Sequence, residues 1–142
     1  MVLRITGRVY EELSFIGPKR CYVDCREGLT KYTYVGEFEL GAYERPVLTG
    51  NGKLFLRGSK ELRYEGALVG GAREGRGKSY HQNGKLWYIG NWKNNRREGK
   101  GREYYLDGKS WYDGDWKNDM ENGWGYSTHQ MELNAVVDGK MV

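Results

Sequence analysis

Long apolar runs are missing from this chain of 142 residues: the longest span three or four positions, and mean hydropathy is −0.84. Nothing approaches the roughly 20 apolar residues that a membrane-crossing helix needs. Met1-Val2-Leu3-Arg4-Ile5-Thr6 lacks the apolar centre of a secretory signal, so the expected location is cytoplasmic. Cysteine is nearly absent. Cys21 and Cys25 stand four apart, too few and too close for a secreted disulfide framework, and are read as free thiols. Histidine is limited to His81 and His129, which leaves a zinc site short of ligands, and no metal or cofactor is expected.

Catalytic signatures are missing too. No Ser-x-x-Lys, His-Glu-x-x-His or Gly-x-Ser-x-Gly occurs. The stretch Gly70-Gly71-Ala72-Arg73-Glu74-Gly75-Arg76-Gly77 is glycine-rich and basic, but it lacks the Gly-Lys-Ser/Thr ending of a phosphate loop. Two carboxylate pairs, Glu11-Glu12 and Asp113/Asp115, come without a partner base. A non-enzymatic protein is the expectation.

Glycine and aromatics are abundant. There are 22 glycines against 2 prolines, with 12 Tyr and 5 Trp. Disordered chains are poor in aromatics, so this composition indicates ordered β structure with many tight turns. A 24-residue period organises it. Tyr64-Glu65-Gly66, Tyr88-Ile89-Gly90 and Tyr112-Asp113-Gly114 recur at that spacing. Each is followed by a Gly-x-Gly, at Gly75-Arg76-Gly77, Gly99-Lys100-Gly101 and Gly123-Trp124-Gly125. Leu68, Trp92 and Trp116 hold equivalent large apolar positions, and Tyr80, Tyr104 and Thr128 close the set.

Each unit has the pattern of a hairpin. Strict alternation places Leu86, Tyr88, Gly90 and Trp92 on one face and Trp87, Ile89 and Asn91 on the other. Lys93 to Glu98 reads as the turn, Gly99 to Leu106 as the second strand, and Asp107-Gly108 as a two-residue turn into the next hairpin. Glycine weakens a strand interior, so its recurrence predicts an aromatic ring packed over the backbone there.

The segments Tyr88-Ile89-Gly90-Asn91-Trp92-Lys93-Asn94 and Tyr112-Asp113-Gly114-Asp115-Trp116-Lys117-Asn118, each followed by Gly-x-Gly, resemble the MORN (membrane occupation and recognition nexus) repeat. The period is about one residue longer than that family's usual unit, and Asn83-Gly84-Lys85-Leu86-Trp87-Tyr88 is similar to its bacterial variant. The expected fold is therefore all-β: tandem hairpins forming an elongated single-layer antiparallel ribbon. Residues 62–131 are assigned three repeats. Residues 34–61, with Tyr34-Val35-Gly36-Glu37-Phe38 and Gly50-Asn51-Gly52-Lys53-Leu54-Phe55, read as a degenerate repeat enlarged near Ala42 to Pro46. Residues 1–33 read as a capping β region, because terminal units of an array are atypical, and 132–142 as a closing strand or tail.

For binding, the alternation puts Trp87 and Trp111 in a row opposite the Tyr/Gly face, with Tyr80 and Tyr104 as further candidates for partner contact. The same residues are also consistent with a second half of the core or a dimer contact. The resemblance implies a scaffold that takes a protein segment, with inhibitory or immunity roles among its bacterial relatives. It also implies anionic phospholipid as a ligand. Charge bears on that reading: residues 57–109 hold 13 Lys/Arg against 6 Asp/Glu, and residues 110–142 hold 2 against 6. Lys93, Arg96, Arg97, Lys100 and Arg102 form the candidate anion-binding cluster. Basic residues interleaved with aromatics also fit a single-stranded nucleic-acid platform, which the acidic end opposes. The open edges of a ribbon offer a route to a homodimer.

Overall fold

Two-residue turns set the frame of the molecule. Gly70 and Gly71 (φ +58 and +80), Asn94 and Asn95 (φ 49 and 67) and Asn118 and Asp119 (φ 50 and 67) place both central residues in the left-handed region. That geometry matches the twist of paired strands, and Gly, Asn and Asp reach it at least cost.

The computed structural model describes residues 2–12 and 20–127, with side chains from 7 to 12 undescribed. In chain order the elements are β1 (Arg4–Glu12), β2 (Arg20–Glu27), β3 (Thr30–Glu37), β4 (Glu39–Leu40), β5 (Pro46–Val47), β6 (Gly50–Leu56), β7 (Leu62–Val69), β8 (Ala72–Tyr80), β9 (Leu86–Lys93), β10 (Arg96–Tyr104), β11 (Ser110–Lys117) and β12 (Met120–Ser127). Ten of them form one antiparallel sheet in which each strand pairs with the next in sequence, except that β3 pairs with β6. Between those two, β4 and β5 leave the sheet as a small two-stranded pair joined through a 3-10 turn at Ala42–Glu44. The sheet is an open ribbon of hairpins and does not close into a barrel. The segment 132–142, read as a closing strand or tail, lies outside the described residues, as do Thr128 and His129.

The hairpins differ from expectation in two details. The turn after β9 is only Asn94-Asn95, so the second strand begins at Arg96 and ends at Tyr104. Asp107-Gly108 is not a two-residue turn. Residues 105–109 make a wider connection, closed by Tyr105 N–H to the Lys109 carbonyl at 2.8 Å and Gly108 N–H to the Tyr105 carbonyl at 2.9 Å.

Register brings the glycines into one row. Gly36, Gly52, Gly66, Gly77, Gly90, Gly101, Gly114 and Gly125 are successive cross-strand partners from β3 to β12. The ring predicted to cover them is the tyrosine of the same hairpin. Tyr88 lies over Gly101, as Tyr34 does over Gly52, Tyr64 over Gly77 and Tyr112 over Gly125, so closely that a Cβ would overlap the ring. Its hydroxyl donates to the Asn91 carbonyl at 2.9 Å, a bond repeated by Tyr34 to Glu37 (2.6 Å), Tyr64 to Ala67 (2.7 Å) and Tyr112 to Asp115 (2.9 Å). Burial raises the Tyr88 phenol to about 12, and the Tyr34 and Tyr64 phenols well above their ordinary range.

Tryptophans lock the tyrosines together. Trp92 meets Tyr64 and Tyr88 edge-on at 5.7 and 5.1 Å, and Trp116 meets Tyr88 and Tyr112 at 5.4 and 5.2 Å. Such pairs contribute roughly 0.5–1.5 kcal/mol each beyond the area they bury. The indoles also donate to the glycine row, Trp92 to the Gly77 carbonyl at 3.3 Å and Trp116 to Gly101 at 3.0 Å. Turn tips dock on the preceding hairpin: the Asn95 N–H donates to the Arg73 carbonyl and the Arg73 N–H to the Asn95 side chain, and Asp119 and Arg97 repeat this exchange. A one-layer ribbon thus acquires a core along one face.

Candidate functional site: an aromatic groove on the core face

The site begins with a repeated β-bulge. Ser79 pairs with Tyr88 but Tyr80 pairs with Leu86, so Trp87 is an extra residue on β9. The same slip leaves Trp111 extra on β11 and Arg63 extra on β7. A bulge re-aims the residue it adds. Trp87 and Trp111 therefore join the Tyr/Gly face, where they are half-buried against the core, instead of lining the opposite face. Trp87 Nε1 donates to Glu103 at 3.0 Å, and Glu103 stands directly opposite Tyr88.

On this face the two tryptophans line a groove of about 720 Å³ along the edge formed by the wide connections. Tyr105 meets Trp111 edge-on at 4.6 Å, and exposed Leu106 adds to the apolar wall. His81 Nε2–H donates to the Tyr104 carbonyl at 2.9 Å, tying its connection to the end of β10 in the next hairpin. A second depression of about 690 Å³ shares His81 and Trp87 and continues past Arg63 to Tyr32 and Leu56. The two depressions adjoin at His81 and Trp87.

Tyr80 and Tyr104, expected beside the tryptophans, extend to the other face. The Tyr80 hydroxyl lies 3.4 Å from Glu65, which pairs with Lys53, and Tyr104 bonds Arg102. Their backbone still borders the groove. The four aromatics predicted for partner contact are therefore divided between two faces.

The five predicted cations are divided as well. The Arg97 guanidinium is nearly buried. It lies 4.6 Å from the Trp87 ring and 4.3 Å from the Trp116 ring, with Glu103 at 3.1 Å and Asp119 at 3.3 Å. This corrects its reading as a ligand-facing cation: its charge is answered within the fold. Lys100 pairs with Asp115 at 2.5 Å and Arg102 with Asp113 at 2.6 Å, so these too have carboxylate partners. Lys93 and Arg96 remain exposed at the turn tips, without an ion-pair partner among the described residues. Asp113 and Asp115, noted as a carboxylate pair, are thereby each engaged by a cation. The side chains of the other pair, Glu11-Glu12, lie outside the described residues.

Sequence reading missed Glu103 and Glu121 as partners of the two indoles; Trp111 Nε1 donates to Glu121 at 3.0 Å. It also missed the wide connection at 105–109, which supplies Tyr105 and Leu106 to the groove.

With this geometry in place, comparison with known proteins identifies the repeat. The MORN repeat profile matches residues 64–85, 88–110 and 112–125. This is a MORN-repeat protein. MORN repeats are in general binding and scaffold modules, typically without catalytic function. No curated protein matches the chain. The groove's two tryptophans stand at the junctions of the matched segments, Trp87 between the first two and Trp111 between the last two.

Proposed function

We propose that this MORN protein is a non-catalytic scaffold that holds an extended segment of a protein partner in the groove lined by Trp87 and Trp111. The observation that carries the reading is a pair of adjoining depressions over successive hairpins, on a face that already presents indole rings and exposed Leu106. Half-buried aromatics in a partly apolar trough are the usual anchors of protein recognition. A reducing compartment such as the cytoplasm suits the buried thiols of Cys21 and Cys25.

The test leaves the central stack of rings untouched. Trp87 stacks with Arg97, so its removal would weaken the fold and confuse the result. Leu106→Glu combined with Trp111→Ala changes the groove wall and leaves the Tyr64–Trp92–Tyr88–Trp116 stack in place. Affinity capture from native lysate with wild type should retain a partner that this variant loses while it remains folded by circular dichroism. Equal capture by both proteins would overturn the reading.

One observation supports a second ligand. Lys93, Arg96 and Lys117 are exposed at successive turn tips, together with Val69 and Met120. A basic edge carrying apolar tips suits the surface of an anionic bilayer, at about 1 kcal/mol per cation near the surface. Reversing Lys93, Arg96 and Lys117 to Glu should abolish flotation with phosphatidylserine vesicles; flotation that persists would reject this second reading.

A further inference from the structure

The face opposite the glycine row carries a repeated arrangement of its own. β8 runs Arg76-Gly77-Lys78-Ser79-Tyr80, and β10 runs Lys100-Gly101-Arg102-Glu103-Tyr104. Gly77, Ser79, Gly101 and Glu103 belong to the core face, so strand alternation turns the other three residues of each segment outward. β6 has a shorter version, with Lys53 and half-buried Phe55 on either side of buried Leu54. Gly52, Gly77 and Gly101 share the glycine row, so residues at equal steps from them share rows as well. One outward row holds Phe55, Tyr80 and Tyr104. Beside it runs a row of Lys53, Lys78 and Arg102, and Arg76 and Lys100 lie in a third. β6, β8 and β10 run in the same direction with one strand between each, so like residues recur about every 9.5 Å.

Charge on this face is out of balance at β8. Asp113 takes Arg102 at 2.6 Å, and Asp115 takes Lys100 at 2.5 Å. Glu65, the cross-strand neighbour of both Lys53 and Lys78, lies 3.9 Å from Lys53. Arg76 and Lys78 are exposed side by side in the middle of the sheet, with no ion-pair partner among the described residues. Their neighbours on β9 are Asn91 and Ile89, an amide and an apolar group, which answer neither charge. The Tyr80 hydroxyl lies 3.4 Å from Glu65 and Tyr104 bonds Arg102, contacts that fix each phenol within the pattern.

We propose that this outer face binds a single-stranded nucleic acid lying across β6 to β10, with phosphates along the cations and bases on Phe55, Tyr80 and Tyr104. The cations alone would suit any polyanion. The row of rings beside them selects a chain whose repeating unit joins one anionic group to one flat aromatic one. A polyglutamate chain or an anionic bilayer supplies the anion without the ring. Asp113 and Asp115 on β11 bound the site on one side, so the acidic end of the chain does not cross it. The site lies on the face away from the groove and is independent of the scaffold reading.

The test is fluorescence anisotropy of a labelled oligouridine about ten nucleotides long, titrated with the whole chain at low salt. Binding should appear there and weaken as salt rises. Arg76→Gln/Lys78→Gln should weaken it about tenfold or more. Lys93→Gln/Arg96→Gln removes the same charge from the turn edge and should leave it within about twofold. Tyr80→Leu/Tyr104→Leu keeps apolar bulk, removes two rings, and should weaken binding about tenfold while circular dichroism stays unchanged. Oligoglutamate of equal length and phosphatidylserine vesicles should both displace the oligonucleotide poorly. No binding at low salt, or an equal loss in the two charge variants, would overturn the proposal. Displacement by oligoglutamate or vesicles as efficient as by unlabelled oligouridine, or full binding by the folded leucine variant, would reveal a surface for anions in general and end the nucleic-acid assignment.

Discussion

β2 and the strands after it cover the same face of one sheet in different ways. In β2 the positions are filled by Cys21, Val23 and Cys25, small apolar side chains that stand upright and pack by contact, all of them buried. Cys21 is the direct cross-strand partner of Gly36, so it heads the row that is glycine from β3 to β12. Val23 likewise pairs with Tyr34, the first of the tyrosines that lie over those glycines. The difference teaches how a single layer acquires a core. A sheet with nothing packed on it needs its own side chains to lie flat, and a ring lies flat only where the neighbouring strand has no Cβ.

That contrast can be broken most severely at a glycine. Gly101→Val should cost about 3 kcal/mol or more, because the new side chain must displace the Tyr88 ring from both of its tryptophans. Cys21→Val, in the same cross-strand row but outside the tyrosine cover, should cost about 1 kcal/mol. Urea melts of the two variants check the pair, and equal losses would deny the ring-over-glycine account.

Next in size is Arg97→Met, which leaves Glu103 without its cation in a half-buried setting; a loss of about 2–3 kcal/mol is expected. Arg73→Met should lose less, since Arg73 meets Glu27 at 3.2 Å but lies further from its rings, at 5.3 and 5.5 Å. Tyr88→Phe retains the ring and loses only the bond to Asn91, for about 1 kcal/mol in the same melts.

The pH dependence should be flat near neutrality and appear only in base. Burial raises Cys25 from 9.0 to about 12, Tyr88 from 10.0 to about 12, and Tyr34 and Tyr64 upward as well. A group whose folded pKa is raised favours the fold below its unfolded value. That contribution is lost as pH climbs from the unfolded value toward the folded one. Melting temperature should therefore fall progressively above about pH 9–10. A sharp change near pH 7 would point to groups other than these.

Much of the fold was legible because its causes are local. The 24-residue period, the recurrent glycines and the tight-turn residues are read in the order in which the chain meets them, and they gave an antiparallel ribbon of hairpins with rings over glycines. The site was less legible. Alternation counts residues along one strand, and an extra residue such as Trp87 or Trp111 reverses the face of whatever that count assigned. Arg97 read as a surface cation because its partners, Glu103 and Asp119, meet it through strand register and turn docking.

What the sequence determined by itself was therefore the repeat, its MORN character and the positions of ring and glycine, since each follows from steric preferences of residues close along the chain. What only the tertiary structure decided was which face each tryptophan joins, which charges are answered within the fold, and where the groove runs. Those depend on bulges and cross-strand register, in which residues far apart in sequence settle one another's positions.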